Sequence, residues 1–97
     1  MRSFLGVPYA MPPVGELRWR PPRPLPVWSG SRDALQFGAE CMQGRGRAPV
    51  AMSEDCLFLN VWVADQPRSH HLPVLVWVHG GAFRVGSDAG AQPLLIE

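Results

Sequence analysis

The chain has 97 residues, enough for one small domain, and 46% of them are hydrophobic. Its formal net charge is +1, so composition gives no electrostatic argument for binding nucleic acid or an acidic membrane surface. No apolar segment approaches the roughly 18 residues that a membrane-spanning helix needs. The hydrophobic residues concentrate in two runs, 57–64 and 72–78, and two short strands cannot cover each other's faces. The composition therefore predicts part of a larger fold.

The first quarter of the chain predicts extended structure, with a short segment at 3–10 followed by a proline-rich coil at 12–26. Proline fixes φ and has no N–H to donate, so neither a helix nor a central strand fits the second segment. We expect three large apolar residues to hold the coil against the protein surface: Leu17, Trp19 and Trp28. Residues 18–24 also match a basic PxxP ligand of SH3-type domains, but that pattern is short and common, so a structural coil is favoured.

The only two cysteines, Cys41 and Cys56, flank a glycine-rich polar stretch and allow three interpretations: a disulfide, two buried thiols or half of a metal site. A metal site needs further ligands at set spacing, and the sequence contains no CxxC or HxxxH. A disulfide would close a loop of about 15 residues and contribute about 3 kcal/mol. It would also favour a secreted or periplasmic location, whereas free thiols would favour the cytoplasm.

Two strong strands are predicted in the second half of the chain, at 56–63 and 72–78. Six apolar residues in the latter run without polar alternation, which is typical of a strand buried on both faces in a parallel or mixed sheet covered by helices. The predicted class is therefore α/β, with a proline-rich coil and two core strands of a mixed sheet.

The second strand ends in His-Gly-Gly-Ala at 79–82, where glycine lets the backbone turn sharply and present its N–H groups. Crevices at strand ends are common ligand sites in α/β proteins, so this turn is a candidate anion or oxyanion site. Gly81 and Gly86 have the spacing of half a phosphate loop, but Ser87 replaces the required lysine and no helix-forming run follows, which excludes a nucleotide site. His79 is interpreted as a core histidine that braces the turn.

Several blocks of sequence occur in a fixed order, including Ser-Glu-Asp-Cys-Leu at 53–57 and His-Gly-Gly at 79–81. The full set is 4–10, 12–15, 17–19, Pro22, 28–30, Cys41, 53–62, 72–83 and 86–87. In this pattern the chain resembles the N-terminal part of the type-B carboxylesterases, the α/β-hydrolase group that includes cholinesterases and bacterial p-nitrobenzyl esterases. The resemblance implies one partial α/β-hydrolase domain over 1–97, incomplete at both ends.

The resemblance also assigns roles to residues of the turn. Gly81 and Ala82 match the backbone N–H donors of the family's oxyanion hole, with Gly80 supporting them. A third donor normally comes from the residue after the nucleophilic serine. The implied substrate is a small-molecule carboxylic ester, and no cofactor or metal is implied.

Two structural pairs follow from the same resemblance. Cys41 and Cys56 match the family's first disulfide, which favours the bridge over the other two interpretations. Arg18 and Glu54 match a structural ion pair, which we expect to be partly buried and therefore destabilising to break from one side. This structural role makes the PxxP interpretation weaker.

The catalytic residues themselves are missing from this sequence. No serine lies in a Gly-x-Ser-x-Gly context, and the family's acid and catalytic histidine lie far downstream, so His79 is not that histidine. We therefore expect a fragment of a serine carboxylesterase that, alone, is inactive and poorly folded. The alternatives are a non-catalytic binding module and one half of a split esterase.

Overall fold

The computed structural model describes residues 1–44, 50–65 and 71–91. It contains four strands and one 3₁₀ turn: β1 (Arg2–Pro8), the 3₁₀ turn (Gly15–Leu17), β2 (Glu40–Cys41), β3 (Met52–Ser53) and β4 (Phe58–Val63). In this part of the chain, no helix has the length and apolar character that crossing a bilayer requires.

β1 and β4 form an antiparallel two-stranded sheet, which confirms the extended segment at 3–10 and the strand at 56–63. The register pairs Arg2 with Val63, Ser3 with Trp62, Phe4 with Val61, Val7 with Leu59, and Pro8 with Phe58. Two residues of β1, Leu5 and Gly6, thus lie opposite the single residue Asn60 of β4, so the ladder contains a β-bulge. The bulge turns the Gly6 N–H onto the Asn60 side chain, whose Oδ1 lies 2.9 Å from the nitrogen.

Gly6 is required at this bulge for two independent reasons. Its φ of +65° lies in the left-handed region, which side chains disfavour. A Cβ atom at this position would also lie 2.4 Å from the carbonyl oxygen of Gln36 and 2.9 Å from the amide nitrogen of Gly38. The segment around residue 37 therefore packs directly against the backbone of β1.

The second sheet is short and lies next to the disulfide. β2 and β3 are parallel, with Glu40 opposite Met52 and Cys41 opposite Ser53. A disulfide joins Cys41 to Cys56, so the predicted bridge is confirmed. Among the described residues, only Glu40 and Ala10 are fully buried, at 2% and 5% exposure. The core is accordingly small.

The proline-rich segment is irregular apart from the 3₁₀ turn, and its ends are joined by a hydrogen bond of 2.9 Å from the Met11 N–H to the Arg23 carbonyl oxygen. Trp19 does not hold this segment to a surface: it is 97% exposed, because the described part of the chain presents no apolar surface to its indole ring. That expectation was wrong. Trp28 is half-exposed, and the Arg32 guanidinium lies 5.3 Å from the centre of one of its rings.

Residues 72–78 do not form the second core strand that the sequence predicts. The segment has no strand pairing, and its side chains are exposed, Val74 to 86% and Trp77 to 58%. A strand requires a hydrogen-bonded neighbour, and in the described chain β1 and β4 pair with each other, as do β2 and β3. The prediction of one mixed sheet containing both apolar runs was therefore wrong for these residues, because nothing described here lies beside the second run.

Candidate functional site

The glycine turn after residue 78 has an unusual backbone. Gly81 has a φ of 137°, and the two residues that follow, Ala82 and Phe83, have φ values of 54° and 58°. The turn is closed by the N–H groups of Arg84 and Val85, which donate to the carbonyl oxygen of Gly81 at 3.0 and 3.2 Å. A left-handed conformation costs a residue with a side chain about 1–2 kcal/mol, and such strain concentrates at functional sites.

No side chain fits at Gly81. A Cβ atom there would lie 1.6 Å from the carbonyl oxygen of Val85, far inside the closest contact that atoms tolerate. Gly80, by contrast, has open space around it and no positive φ. The constraint in the turn therefore falls on Gly81, and the polypeptide can close this tight loop only without a side chain there.

The N–H groups of Gly81 and Ala82 are not used by the fold. In the part of the chain that the structure describes, neither donates to a backbone or side-chain acceptor. Gly81 is half-buried and Ala82 exposed. Two consecutive unpaired donors on a constrained turn can hydrogen-bond an oxygen that carries negative charge, which is the chemical requirement of an oxyanion site.

Gly86 packs against the beginning of the same turn. Its φ is +128°, and a Cβ atom would lie 2.3 Å from Nδ1 of His79 and 2.5 Å from the carbonyl oxygen of Gly80. Nδ1 of His79 is 2.9 Å from that carbonyl oxygen, a hydrogen bond when this nitrogen carries the proton. His79 braces the turn in this way, but it is exposed, so the expectation of a core histidine was wrong. Among the described residues, no segment buries its side chain.

Polar side chains hold the segment that follows the turn. Gln43 makes two hydrogen bonds with the backbone of Gly86. The Gly86 N–H donates to Oε1 of Gln43 at 2.9 Å, and Nε2 of Gln43 donates to the Gly86 carbonyl oxygen at 3.1 Å. Asn60 donates to the Asp88 carboxylate at 2.8 Å while its other amide atom accepts the Gly6 N–H. The bulge of β1, strand β4 and the segment after the turn are therefore connected through one amide side chain.

Three polar residues at this site were not predicted from the sequence: Gln43, Asn60 and Asp88. Asn60 carried a usable signal, because it is the single polar residue in an otherwise apolar strand and a half-buried amide there needs partners. Gln43 carried none, since it lies in a polar loop where a glutamine is unremarkable.

Arg18 and Glu54 form an ion pair, with Nε of the arginine 2.7 Å from Oε1 of the glutamate. The side chains are 54% and 43% exposed, so each partner is about half-buried, in agreement with the expected partial burial. Solvent screening makes such a pair worth less than about 1 kcal/mol. It connects the proline-rich segment to the residues just before Cys56 and contributes no group to the glycine turn.

Within residues 1–44, 50–65 and 71–91, no group of three or more His, Cys, Asp or Glu residues lies close enough to hold a metal ion. Ser87, the nearest hydroxyl in sequence to the turn, accepts the Ala89 N–H at 3.0 Å. The unused donors at Gly81 and Ala82 are backbone N–H groups.

Comparison with known proteins identifies close similarities. The model of the carboxylesterase family matches residues 1–96. The fumonisin B1 esterase of Sphingopyxis macrogoltabida is 46% identical over 93 residues, covering 92% of this chain and 17% of that protein. The para-nitrobenzyl esterase of Bacillus subtilis is 45% identical over 100 residues, covering 97% and 20%. The acetylcholinesterase of Electrophorus electricus is 41% identical over 99 residues, covering 90% and 16%.

Solved structures give the same result. A PNB esterase superposes with a TM-score of 0.78 at 46% identity, over 93% of this chain and 18% of that one. A thermophilic PNB esterase superposes with a TM-score of 0.79 at 43% identity, over 87% and 18%. The α/β-hydrolase prediction is thus confirmed at the level of a fragment, and the chain spans 16–20% of the length of the three relatives above.

Proposed function

Because this chain belongs to the carboxylesterase family, we propose that it is the N-terminal part of a serine carboxylesterase and supplies two donors of its oxyanion hole. The observation that carries the proposal is the pair of unpaired N–H groups at Gly81 and Ala82, on a turn whose backbone excludes a side chain at Gly81. The substrate would be a small-molecule carboxylic ester.

The chemistry explains why the site would need this turn. Attack of a serine hydroxyl on an ester carbonyl converts the carbonyl oxygen into an oxyanion in the tetrahedral intermediate. Donors that are already fixed in place stabilise that charge without reorganising, and removal of one donor costs about 10²–10³ in kcat. The closed turn around the Gly81 carbonyl holds the two N–H groups on adjacent residues and so provides the fixed donors.

The remaining groups would come from outside these 97 residues. A serine nucleophile, its histidine base, the orienting acid and the third N–H donor are needed to form and hydrolyse an acyl-enzyme. The exposed run at 72–78 would gain neighbours on its two edges in the same assembly. We therefore expect the isolated chain to have no esterase activity.

A fusion enzyme tests this proposal. In it, the 97 residues replace the matching segment of the Bacillus subtilis para-nitrobenzyl esterase, which the chain covers at 45% identity. We expect the fusion enzyme to hydrolyse p-nitrophenyl acetate and to lose that activity after treatment with a serine-directed organophosphate. The esterase lacking the segment and the isolated chain are the controls, and both should be inactive. A folded fusion enzyme without activity would contradict the proposal.

The same experiment separates the alternatives. A non-catalytic binding module would fail to restore activity although the fusion enzyme folded. One half of a split esterase would restore activity when the chain and the remainder of the Bacillus subtilis protein are produced as two polypeptides, without a covalent link. The exposed apolar run at 72–78 is the surface on which such a second polypeptide would dock.

A further inference from the structure

We infer that Gln43 is a positioning residue for the oxyanion turn and that it acts through Gly86. This inference rests on the proposed function of the turn and adds a residue to it. The Gln43 carboxamide and the Gly86 backbone exchange two hydrogen bonds, with the Gly86 N–H donating to Oε1 at 2.9 Å and Nε2 donating to the Gly86 carbonyl at 3.1 Å. The side chain thus pairs with Gly86 as a neighbouring strand would.

The Gln43 side chain is itself fixed. Nε2 also lies 2.7 Å from Oε1 of Glu40, a carboxylate that is 2% exposed, and 3.2 Å from the carbonyl oxygen of Cys41. The two N–H groups of Nε2 thus face three acceptor oxygens, so one N–H is shared between two of these acceptors. Gln43 lies inside the loop that the Cys41–Cys56 disulfide closes, which limits how far its backbone can move away from Gly86.

Gly86 transmits this restraint to the turn. One side of Gly86 is held by Gln43, and the other is in contact with Nδ1 of His79 and the carbonyl of Gly80, where no Cβ atom would fit. The preceding residue, Val85, donates its N–H to the carbonyl oxygen of Gly81 at 3.2 Å. If Gly86 moves, the closure of the turn at Gly81 must loosen, and the adjacent N–H donors lose their fixed direction.

Loss of the Gln43 side chain should therefore lower kcat and leave KM almost unchanged. The oxyanion exists only in the transition state and intermediate, so misplaced donors affect the chemical step rather than binding of the neutral ester. Side chains that orient metal ligands from behind contribute about 10–100-fold to metal affinity or activity, and by analogy we expect a loss of that size in Gln43→Ala. Affinity for an alkyl boronate, which forms a tetrahedral anion on the nucleophile, should fall by the same factor as kcat.

The experiment compares Gln43→Ala with Gln36→Ala, a matched control. Gln36 is an exposed glutamine whose side chain makes no hydrogen bond in the described structure. In the fusion enzyme, kcat, KM and boronate affinity are measured per active site, counted by organophosphate titration. We expect only Gln43→Ala to lower kcat and boronate affinity. Equal kcat in the two variants would overturn the inference, and so would a rise in KM without a fall in kcat.

A second measurement, hydrogen exchange in the folded fusion enzyme, separates this inference from the proposed function. Mass spectrometry follows amide exchange in the peptide that contains Gly86, in the unmodified fusion enzyme and in both variants. We expect protection in the unmodified enzyme and in Gln36→Ala, and at least about tenfold faster exchange in Gln43→Ala. An unprotected Gly86 in the unmodified enzyme, or equal protection in Gln43→Ala, would refute the contact. An inactive fusion enzyme with a protected, Gln43-dependent Gly86 would instead refute the esterase role and the positioning role that rests on it, while the contact would stand.

Discussion

Replacing Gly81 with alanine is the most direct test of the oxyanion turn. The new Cβ atom would lie 1.6 Å from the carbonyl oxygen of Val85, at a φ of 137° that only glycine adopts readily. Neither the overlap nor the backbone angle can be relieved by a side-chain rotation. Gly81 must therefore change its own backbone, and its N–H moves with it.

The expected loss follows from that displacement. Removing one oxyanion donor in a serine hydrolase lowers kcat about 10²–10³-fold, which corresponds to about 3–4 kcal/mol of transition-state stabilisation. We expect a loss in this range for Gly81→Ala in the fusion enzyme, with p-nitrophenyl acetate as substrate and active sites counted by organophosphate titration. KM should change little, because the oxyanion is absent from the ground state.

Gly15→Ala is the matched control, because Gly15 also has a positive φ, +56°, but has no atom within 4 Å of its hypothetical Cβ. This variant carries the left-handed strain, about 1–2 kcal/mol of stability, without steric overlap and away from the turn. We expect its kcat to equal that of the unmodified fusion enzyme. If Gly81→Ala retained the same kcat as Gly15→Ala, the assignment of the oxyanion donors would be wrong.

Three further predictions concern the fragment's own structure and are measured in the fusion enzyme. Gly6→Ala should lower the local stability of the β1–β4 sheet by more than about 2 kcal/mol, because it adds an overlap with the backbone to the left-handed strain. Hydrogen-exchange mass spectrometry should then show faster amide exchange in β1, and exchange as slow as in Gly15→Ala would contradict this prediction. Replacing Cys41 and Cys56 together by serine should lower the free energy of unfolding in urea by about 3 kcal/mol, because the disulfide closes a loop of 15 residues. An unchanged midpoint of urea unfolding would contradict this prediction. Arg18→Ala should cost less than about 1 kcal/mol because both partners are about half exposed, and adding salt to the unmodified protein should remove most of that difference; a loss of several kcal/mol would mean that the pair is buried in the complete enzyme.

Much of this fold could be predicted from local sequence. The apolar run at 58–63 predicts the strand there. The proline-rich coil is predictable because each proline fixes its own φ and lacks an N–H donor, whatever its neighbours are. The disulfide and the ion pair were accessible only through the family resemblance, because the sequence spacing of Cys41 and Cys56 alone left three interpretations open.

What could not be predicted depends on long-range neighbours. The run at 72–78 has the composition of a buried strand, but a strand exists only when another segment satisfies its N–H and C=O groups, and composition does not say where that segment is. The prediction that Trp19 holds the coil against a surface was wrong for the same reason, because an indole ring packs only where an apolar surface faces it. Gln43 illustrates a different limit: its importance comes from one contact with Gly86, 43 residues away, and nothing local indicates it.

The exposed run at 72–78 has a consequence for handling the protein. Residues 74–78 are five consecutive apolar residues, four of them valine or leucine, with no charge or proline among them and both edges unpaired in the described structure. Such a segment is a template for strand addition by an identical chain, which would extend it into a growing cross-β stack. The isolated polypeptide should therefore self-associate as its concentration rises, and a charge introduced at Val76 should keep it monomeric.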